Sequence, residues 1–217
     1  MLSLSLFAQK NSRLTADFTI KEKLIDGAER LTIGQVYFDK PTAQLSYYIT
    51  FPDTAVIVLR DSLLRTVDRN ELSDEIIPNN NRFSVFSLAL HSQLNDFGLK
   101  DMGFELTNLE QADNAVICTY APPKVLQEIM GNILLSLEDR ILQGVIFLEP
   151  DGQVKGKQFF ESYATYNGIL FPHKMVQLSG GETSTFKVTE FSNLRIDDES
   201  KEERYTNFPT STTALFE

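Results

Sequence analysis

The residue types that most often carry catalysis are few in this chain, and their spacing does not define a site. His91 and His173 lie far apart, and neither stands at a metal-ligand spacing from another ligand residue. The single cysteine, Cys118, is centred in the apolar run AVICTY, which predicts a small buried strand residue. Gly180-Gly181 joins two predicted strands and opens no helix that would bind a phosphate. The sequence therefore predicts no catalytic residues, no metal and no cofactor, although a cysteine–histidine pair or two carboxylates could still meet in the folded chain and form a cavity-based enzyme.

The composition favours the binding of apolar groups instead. The chain contains 16 phenylalanines and 7 tyrosines, more aromatic surface than a modest core requires. Either a large antiparallel sheet buries all of these rings, or some of them line a dry cavity for acyl chains, in which each buried methylene would contribute about 0.8 kcal/mol. The net charge of −10 argues against nucleic acid as a partner and against lasting attachment to an anionic membrane.

The stretch GQVYFDKPTAQLSYYITFP, residues 34–52, is predicted to hold apolar side chains in rows. It has the pattern of two strands joined by a short proline turn, and successive side chains of a strand point to opposite faces. Lys40 lies at the end of the row on the first strand. Tyr37 and Tyr48 point the other way, so the sheet is predicted to carry apolar groups on both faces. The rows consist of Val36 and Phe38 in the first strand and of Leu45, Tyr47, Ile49 and Phe51 in the second.

Similar patterns along the chain predict a meander of about ten or eleven strands, among them 29–39, 44–51, 141–148 and 154–166. A polar loop at 69–81 interrupts the meander. After it, apolar residues at spacings of three and four predict an amphipathic helix that ends at Gly98. The apolar stripe of this helix consists of Phe83, Phe86, Leu90, Leu94 and Phe97.

The strands are predicted to form one domain at residues 10–197, a single antiparallel sheet that curls or closes to hide its edges. The first nine residues, MLSLSLFAQ, have the apolar run and small terminal residue of the end of a secretory signal, which would make the mature protein exported and soluble. The alternative is an ordinary apolar N-terminus. Residues 198–217 turn polar and are predicted to form a loose C-terminal tail.

The first third of the chain resembles the family of periplasmic outer-membrane lipoprotein carriers, the LolA family. The resemblance rests on Gly34 and the aromatic residues after it, on the basic residue before the turn proline in Lys40-Pro41, and on the aromatic-rich strand, Pro52 and the aliphatic strand at 55–59 that follow. It implies an α+β, mainly β fold: a single highly curved antiparallel sheet, an incomplete barrel, with helices covering the concave face as a lid.

The resemblance also implies a function, that of a monomeric periplasmic carrier or chaperone. Such a carrier shields lipoprotein acyl chains and passes them from an inner-membrane release complex to an outer-membrane acceptor. The family's basic lid latch falls on Lys40, where the family's arginine is a lysine, a point charge instead of a planar fork. Two alternatives stay open: a lipid or lipoprotein sensor of the same fold that acts through a partner, and a cavity-based enzyme. The expected acyl-cavity residues are Phe18, Val36, Phe38, Leu45, Tyr47, Ile49 and Ile57, and the expected lid residues are Phe83, Phe86, Leu90 and Leu94.

Overall fold

Thirteen strands form one antiparallel sheet in this computed structural model, which describes residues 12–69, 71–77, 83–179 and 185–212. These residues contain only two short α-helices, so the prediction of a mainly β fold built on a single antiparallel sheet is confirmed. The elements are β1 (Arg13–Lys23), β2 (Glu29–Asp39), β3 (Gln44–Phe51), β4 (Ala55–Arg60), β5 (Leu63–Val67), β6 (Leu72–Ile76), α1 (Val85–Leu90), β7 (Glu105–Ala112), β8 (Ala115–Ala121), β9 (Ile133–Glu138), β10 (Ile141–Leu148), β11 (Val154–Tyr166), β12 (Ile169–Ser179), β13 (Phe186–Ile196) and α2 (Glu202–Thr206), with 3-10 turns at Lys100–Met102 and Lys124–Leu126.

The first and the last strand along the chain, β1 and β13, lie side by side in the middle of the sheet. β1 to β6 are added one after another toward one edge, and β7 to β13 return from the opposite edge, so that β13 pairs with β1. The sheet is not closed, because β6 and β7 each pair on one side only. The connection between these two edge strands must therefore cross a face of the sheet, and α1 within it packs near the middle, on β12 and β1.

Both faces of the sheet bury side chains, as the sequence predicts. On one face, Phe18, Phe38 and their neighbours form the hydrophobic core together with α1; we call it the α1 face. Alternation places Tyr37 and Val58 on the other face, the α2 face, where α2 packs on β2 and β3. One short helix thus packs on each face.

The amphipathic helix predicted for 83–97 is wrong in its length, because α1 ends at Leu90. Ser92 adopts a left-handed backbone conformation with φ of 57°. The amides at 92 and 93 donate to carbonyls of the preceding turn in the pattern of a Schellman motif, which ends the helix. Leu94 and Phe97 of the predicted stripe remain buried, but they lie in the loop that follows.

Two further predictions on elements are wrong. The sequence at 11–16 predicts the end of a short helix, but residues 13–16 are already part of β1, which pairs with both β2 and β13. The polar loop predicted at 69–81 contains β6, an edge strand with few buried side chains. Arg65 on β5 binds Asp74 on β6 through two hydrogen bonds of 2.7 Å. A strand paired on one side and exposed on both faces needs no apolar row, so its sequence has no strand pattern.

The C-terminal segment, residues 198–212, is not the loose tail that its polarity predicts. Tyr205 is fully buried, and its ring meets that of Tyr37 edge-on at a centroid distance of 5.1 Å. The guanidinium of Arg13 lies over the same Tyr205 ring, 5.0 Å from its centroid. A few apolar side chains between charges are enough to dock the segment, because the sheet offers an apolar face to receive them.

Cationic side chains of the sheet hold the end of this segment. Arg60 and Arg65 lie 4.9 and 4.3 Å from the ring centroid of Phe208. Carbonyl oxygens at 206, 207 and 209 accept hydrogen bonds from side chains of β4, β3 and β5. The predicted signal remnant, residues 1–9, lies outside the described residues, as do 213–217.

Acid is expected to weaken the attachment of the C-terminal segment. Arg13 binds the carboxylate of Glu202 in α2 and, through Nε at 2.8 Å, that of Asp39 on β2. The hydrogen bond from Arg13 holds the pKa of Glu202 below its usual value. The resulting stability is present above the ordinary carboxyl pKa of about 4.3 and is lost as the pH falls through it toward the lowered folded value. In low-salt thermal unfolding, we expect Glu202→Gln to lower Tm at neutral pH, and we expect this difference to shrink as the pH falls below the ordinary carboxyl pKa. A Tm difference that is equal in acid and at neutral pH would contradict this.

Candidate functional site

The residues predicted to line an acyl cavity all lie on the α1 face. The register pairs Val36 with Tyr47 and Tyr47 with Ile57, and directly opposed residues of antiparallel strands share a face. Burial raises the pKa of the Tyr47 hydroxyl to about 12. Of the seven residues, Phe18, Val36, Phe38 and Leu45 are buried, and Tyr47, Ile49 and Ile57 are partly exposed.

Gly34 allows the rings on this face to come together. A Cβ at this position would lie 2.2 Å from the carbonyl oxygen of Tyr48 and 2.9 Å from the ring of Phe18. The Phe18 ring occupies the space and meets the Tyr47 ring edge-on at 5.4 Å. Only glycine fits here, which explains this part of the sequence pattern.

The residues predicted to form a lid pack directly onto the α1 face. They belong to residues 83–104, which we call the α1 segment. The ring of Phe86 lies 5.5 Å from that of Phe171 on β12 and 5.2 Å from that of Phe191 on β13. Phe83 stacks on Phe97 at 5.4 Å. Among the four predicted residues, Phe86, Leu90 and Leu94 are buried and Phe83 is partly exposed.

Lys40 connects the end of β2 to the C-terminal end of α1. Its Nζ donates a hydrogen bond to the carbonyl oxygen of Leu90 over 2.8 Å. The last four carbonyls of a helix have no partner within it, and here the other three accept from amides at 91–93. Lys40 provides the fourth partner and places a positive charge at the negative end of the helix dipole. The resemblance implies that Lys40 pairs with a backbone carbonyl or a side chain of the lid. In the structure it contacts the Leu90 carbonyl, and its role as a latch stays a prediction.

The predicted acyl-cavity residues do not line an open cavity in this conformation. Six of the seven belong to the core that also contains the lid residues or pack against it, and Ile57 is the exception. Two cavities of about 230 and 250 Å³ lie elsewhere and are lined by none of the seven residues. Acyl chains could reach the four buried residues of this set only if the side chains packed on them moved away.

The cysteine and both histidines are buried or hydrogen-bonded in the structure. Cys118 is buried, and burial raises the pKa of its thiol, so the thiolate is disfavoured. His91 Nδ1 lies 2.8 Å from the carbonyl oxygen of Ser87. His173 is held between the hydroxyl of Tyr166 and a strand carbonyl. No group of three His, Cys, Asp or Glu side chains in the described part of the chain could hold a metal ion.

Two rings that complete the α1 face were missed in the sequence. Phe171 and Phe191 are buried and contact each other at 5.5 Å as well as Phe86. Phe171 stands between Leu170 and Pro172, so no alternation of apolar and polar residues marks the face to which it points. That Phe191 lies beside it depends on the pairing of β12 with β13, which the sequence pattern does not specify.

Solved structures with the same architecture identify the fold. A LolA superfamily protein from Nitrosomonas europaea is 14% identical, with a TM-score of 0.63 over 90% of this chain and 91% of that one. The chain has a LolA-like fold. A DUF1329 family protein from Desulfovibrio piger, 13% identical, gives 0.63 over 91% of each chain, and a putative outer membrane lipoprotein-sorting protein domain from Vibrio parahaemolyticus, 12% identical, gives 0.53 over 89% of each.

At these identities the likeness establishes the LolA-like fold alone. No protein-family model and no curated protein matches the sequence. None of the helices among the described residues is long and apolar enough to cross a membrane. The function of this chain therefore has to be inferred from its own side chains.

Proposed function

We propose that this LolA-like protein is a periplasmic carrier of lipoproteins, which binds their acyl chains on the α1 face and delivers them to the outer membrane. The observation that carries the proposal is the contact of Lys40 with Leu90: a single charged hydrogen bond joins the sheet to the end of a short helix that covers an apolar face. The fold of a lipoprotein-sorting domain, shared with this chain, supports the same function.

In this proposal the structure represents the closed, empty carrier. The α1 face is the concave side of the half-barrel, and the α1 segment is its lid. The lid side chains occupy the place of the cargo, so the packing of Phe86 and its neighbours is exchanged for contacts with acyl chains on loading. A chain of a dozen methylenes would gain about 10 kcal/mol on burial. Loss of the lid packing offsets part of this gain, which keeps the cargo releasable.

The remaining parts of the proposal follow from these roles. Phe18, Val36, Phe38, Leu45, Tyr47, Ile49 and Ile57 contact the acyl chains, and Phe83, Phe86, Leu90 and Leu94 form the lid. The protein acts as a monomer without covalent chemistry, and takes its cargo from an inner-membrane release complex to an outer-membrane acceptor. The buried thiol and the engaged histidines support a role without catalysis.

Native mass spectrometry on the protein purified gently from an exporting host tests the proposal. We expect bound diacyl or triacyl species, and saturable uptake of a fluorescent lipopeptide by the purified protein. A matched peptide without acyl chains should not bind. Clean unliganded protein that also fails to take up the lipopeptide would overturn the carrier function.

Lys40→Leu is expected to open the lid more than it destabilises the fold. Loss of the charged hydrogen bond to Leu90 removes about 1–2 kcal/mol from the closed state, which raises the open population roughly tenfold. Stopped-flow uptake of the lipopeptide should accelerate by a similar factor, with little change in global unfolding. Lys157→Leu, which removes an exposed lysine from β11, should change neither rate. If Lys40→Leu lowers the free energy of unfolding and leaves the uptake rate unchanged, Lys40 is only structural.

A further inference from the structure

We propose a second binding site, at the loop that follows α1, for a single alkyl chain with an anionic head group. The site is a cavity of about 250 Å³ between this loop and the hairpin turns that join β9 to β10 and β11 to β12. Of the residues assigned to the acyl-binding face, lid and latch, only Leu94 lines it. The proposed site is therefore distinct from the acyl-binding face, and its existence does not depend on the carrier function.

The cavity has an apolar floor and a polar rim. Its lining residues Ala89, Leu94, Leu142 and Ile169 are buried. The lining residues Ser92, Asn95 and Arg140 are exposed. The volume is slightly below the roughly 300–1,000 Å³ of sites for drug-sized ligands. It suits one short alkyl chain and is too small for the several acyl chains of a lipoprotein.

Arg140 provides the charge that selects the head group. Its guanidinium makes no hydrogen bond or ion pair with any residue in the described part of the chain, and it stands at the mouth of the cavity. A guanidinium binds a carboxylate through two parallel hydrogen bonds. The hydroxyl of Ser92 and the amide of Asn95 add donors to the same rim. The nearest carboxylate along the chain is that of Asp139, which is exposed and is not a lining residue.

The backbone at Arg140 gives an independent reason to assign a role to its side chain. Asp139 and Arg140 both adopt left-handed conformations, with φ of 49° and 66°. The neighbouring hairpin turn has the same pair of conformations, with φ of 47° and 80°, in the favoured dipeptide Asn167-Gly168. At Arg140 the chain carries a long side chain where glycine would be most stable. An unfavourable residue at a cavity mouth indicates that its side chain is used.

Isothermal titration of the full chain with decanoate, below its micelle concentration, tests the proposal. We expect one decanoate per chain, with decanol binding at least tenfold more weakly because it lacks the charge. Arg140→Gly should reduce decanoate affinity to that of decanol, while its Tm equals or exceeds that of wild type because Asp-Gly suits the turn. Arg30→Gln, which removes an exposed arginine from β2, should bind decanoate as wild type does.

A second variant, Ala89→Leu, and a second ligand, the fluorescent lipopeptide, distinguish binding in this cavity from binding on the acyl-binding face. Ala89→Leu fills the floor and should weaken both decanoate and decanol, which locates the alkyl chain in this cavity. Arg140→Gly should take up the lipopeptide as wild type does, so loss of decanoate binding alone separates this site from the carrier function. Equal affinity for decanol and decanoate, unchanged decanoate affinity in Arg140→Gly, or absence of decanoate binding would each overturn the proposal.

Discussion

Phe86→Ala is expected to lower the free energy of unfolding by about 3–5 kcal/mol, the usual cost of removing a buried aromatic ring. Phe86 is 1% exposed, and its ring contacts those of Phe171 and Phe191. Its removal leaves a cavity at the centre of the α1 face and weakens the packing that holds the α1 segment down. The free energy of unfolding is measured in urea with intact protein.

Phe86→Ala also tests the proposal that acyl chains replace the side chains of the lid when the carrier is loaded. Because the closed state loses more packing than the loaded state, Phe86→Ala should bind the lipopeptide more tightly than wild type. Phe186→Ala is the matched control, because this ring is 43% exposed and its loss should cost less than about 1 kcal/mol. Equal destabilisation by the two substitutions would contradict the central position of Phe86. Weaker lipopeptide binding by folded Phe86→Ala would mean that the ring contacts cargo and does not compete with it.

Tyr205→Ala is expected to have a similarly large effect on the opposite face, lowering the free energy of unfolding by about 3–5 kcal/mol. Tyr205 is fully buried against Tyr37 and Arg13, and it anchors the C-terminal segment to β2 and β3. The prediction is measured by denaturant unfolding, and limited proteolysis should show earlier cleavage after residue 197. A change of less than 1 kcal/mol would mean that the segment is dispensable for the fold.

Tyr205→Phe is the companion variant, and its effect should have the opposite sign. The Tyr205 hydroxyl is buried and makes no hydrogen bond with the described residues. Burial also raises its pKa far above the usual value. A buried polar group without a partner costs about 1–3 kcal/mol, so deleting the oxygen while keeping the ring should stabilise the protein. A loss of stability in Tyr205→Phe would show that the hydroxyl has a partner in solution.

Much of the sheet follows from alternation and turn chemistry in the sequence. β2, β3, β10 and β11 have the predicted boundaries, because each is a run of strand-favouring residues bounded by recognisable turn residues. The resemblance implies a contact of Lys40 with a carbonyl or a side chain of the lid, and the structure shows a hydrogen bond to the Leu90 carbonyl. The position of Lys40 before Pro41, at the end of an apolar row, fixes the side of the sheet from which it reaches out.

The parts that could not be predicted depend on contacts between distant segments. α1 ends where Ser92 adopts a left-handed backbone conformation, and a serine does not signal this conformation in a sequence. Gly98 is the stronger stop signal for a helix. The docking of residues 198–212 requires the arginines of β4 and β5 to lie beneath them. No local sequence pattern predicts the end of α1 or the docking of residues 198–212. The cavity lined by Arg140 could not be predicted either, because its lining residues come from three separate loops.

The pairing of β1 with β13 has a consequence for how the chain folds. The paired residues of this seam lie more than 160 positions apart, from Lys23 opposite Phe186 to Leu14 opposite Ile196. Each half of the sheet is a local meander that can form early, but the seam pairs strands from the two ends of the sequence and should be the slow step of folding. A chain still lacking β13 would hold two half-sheets with unpaired inner edges, so the native state is completed only after nearly the whole polypeptide is available.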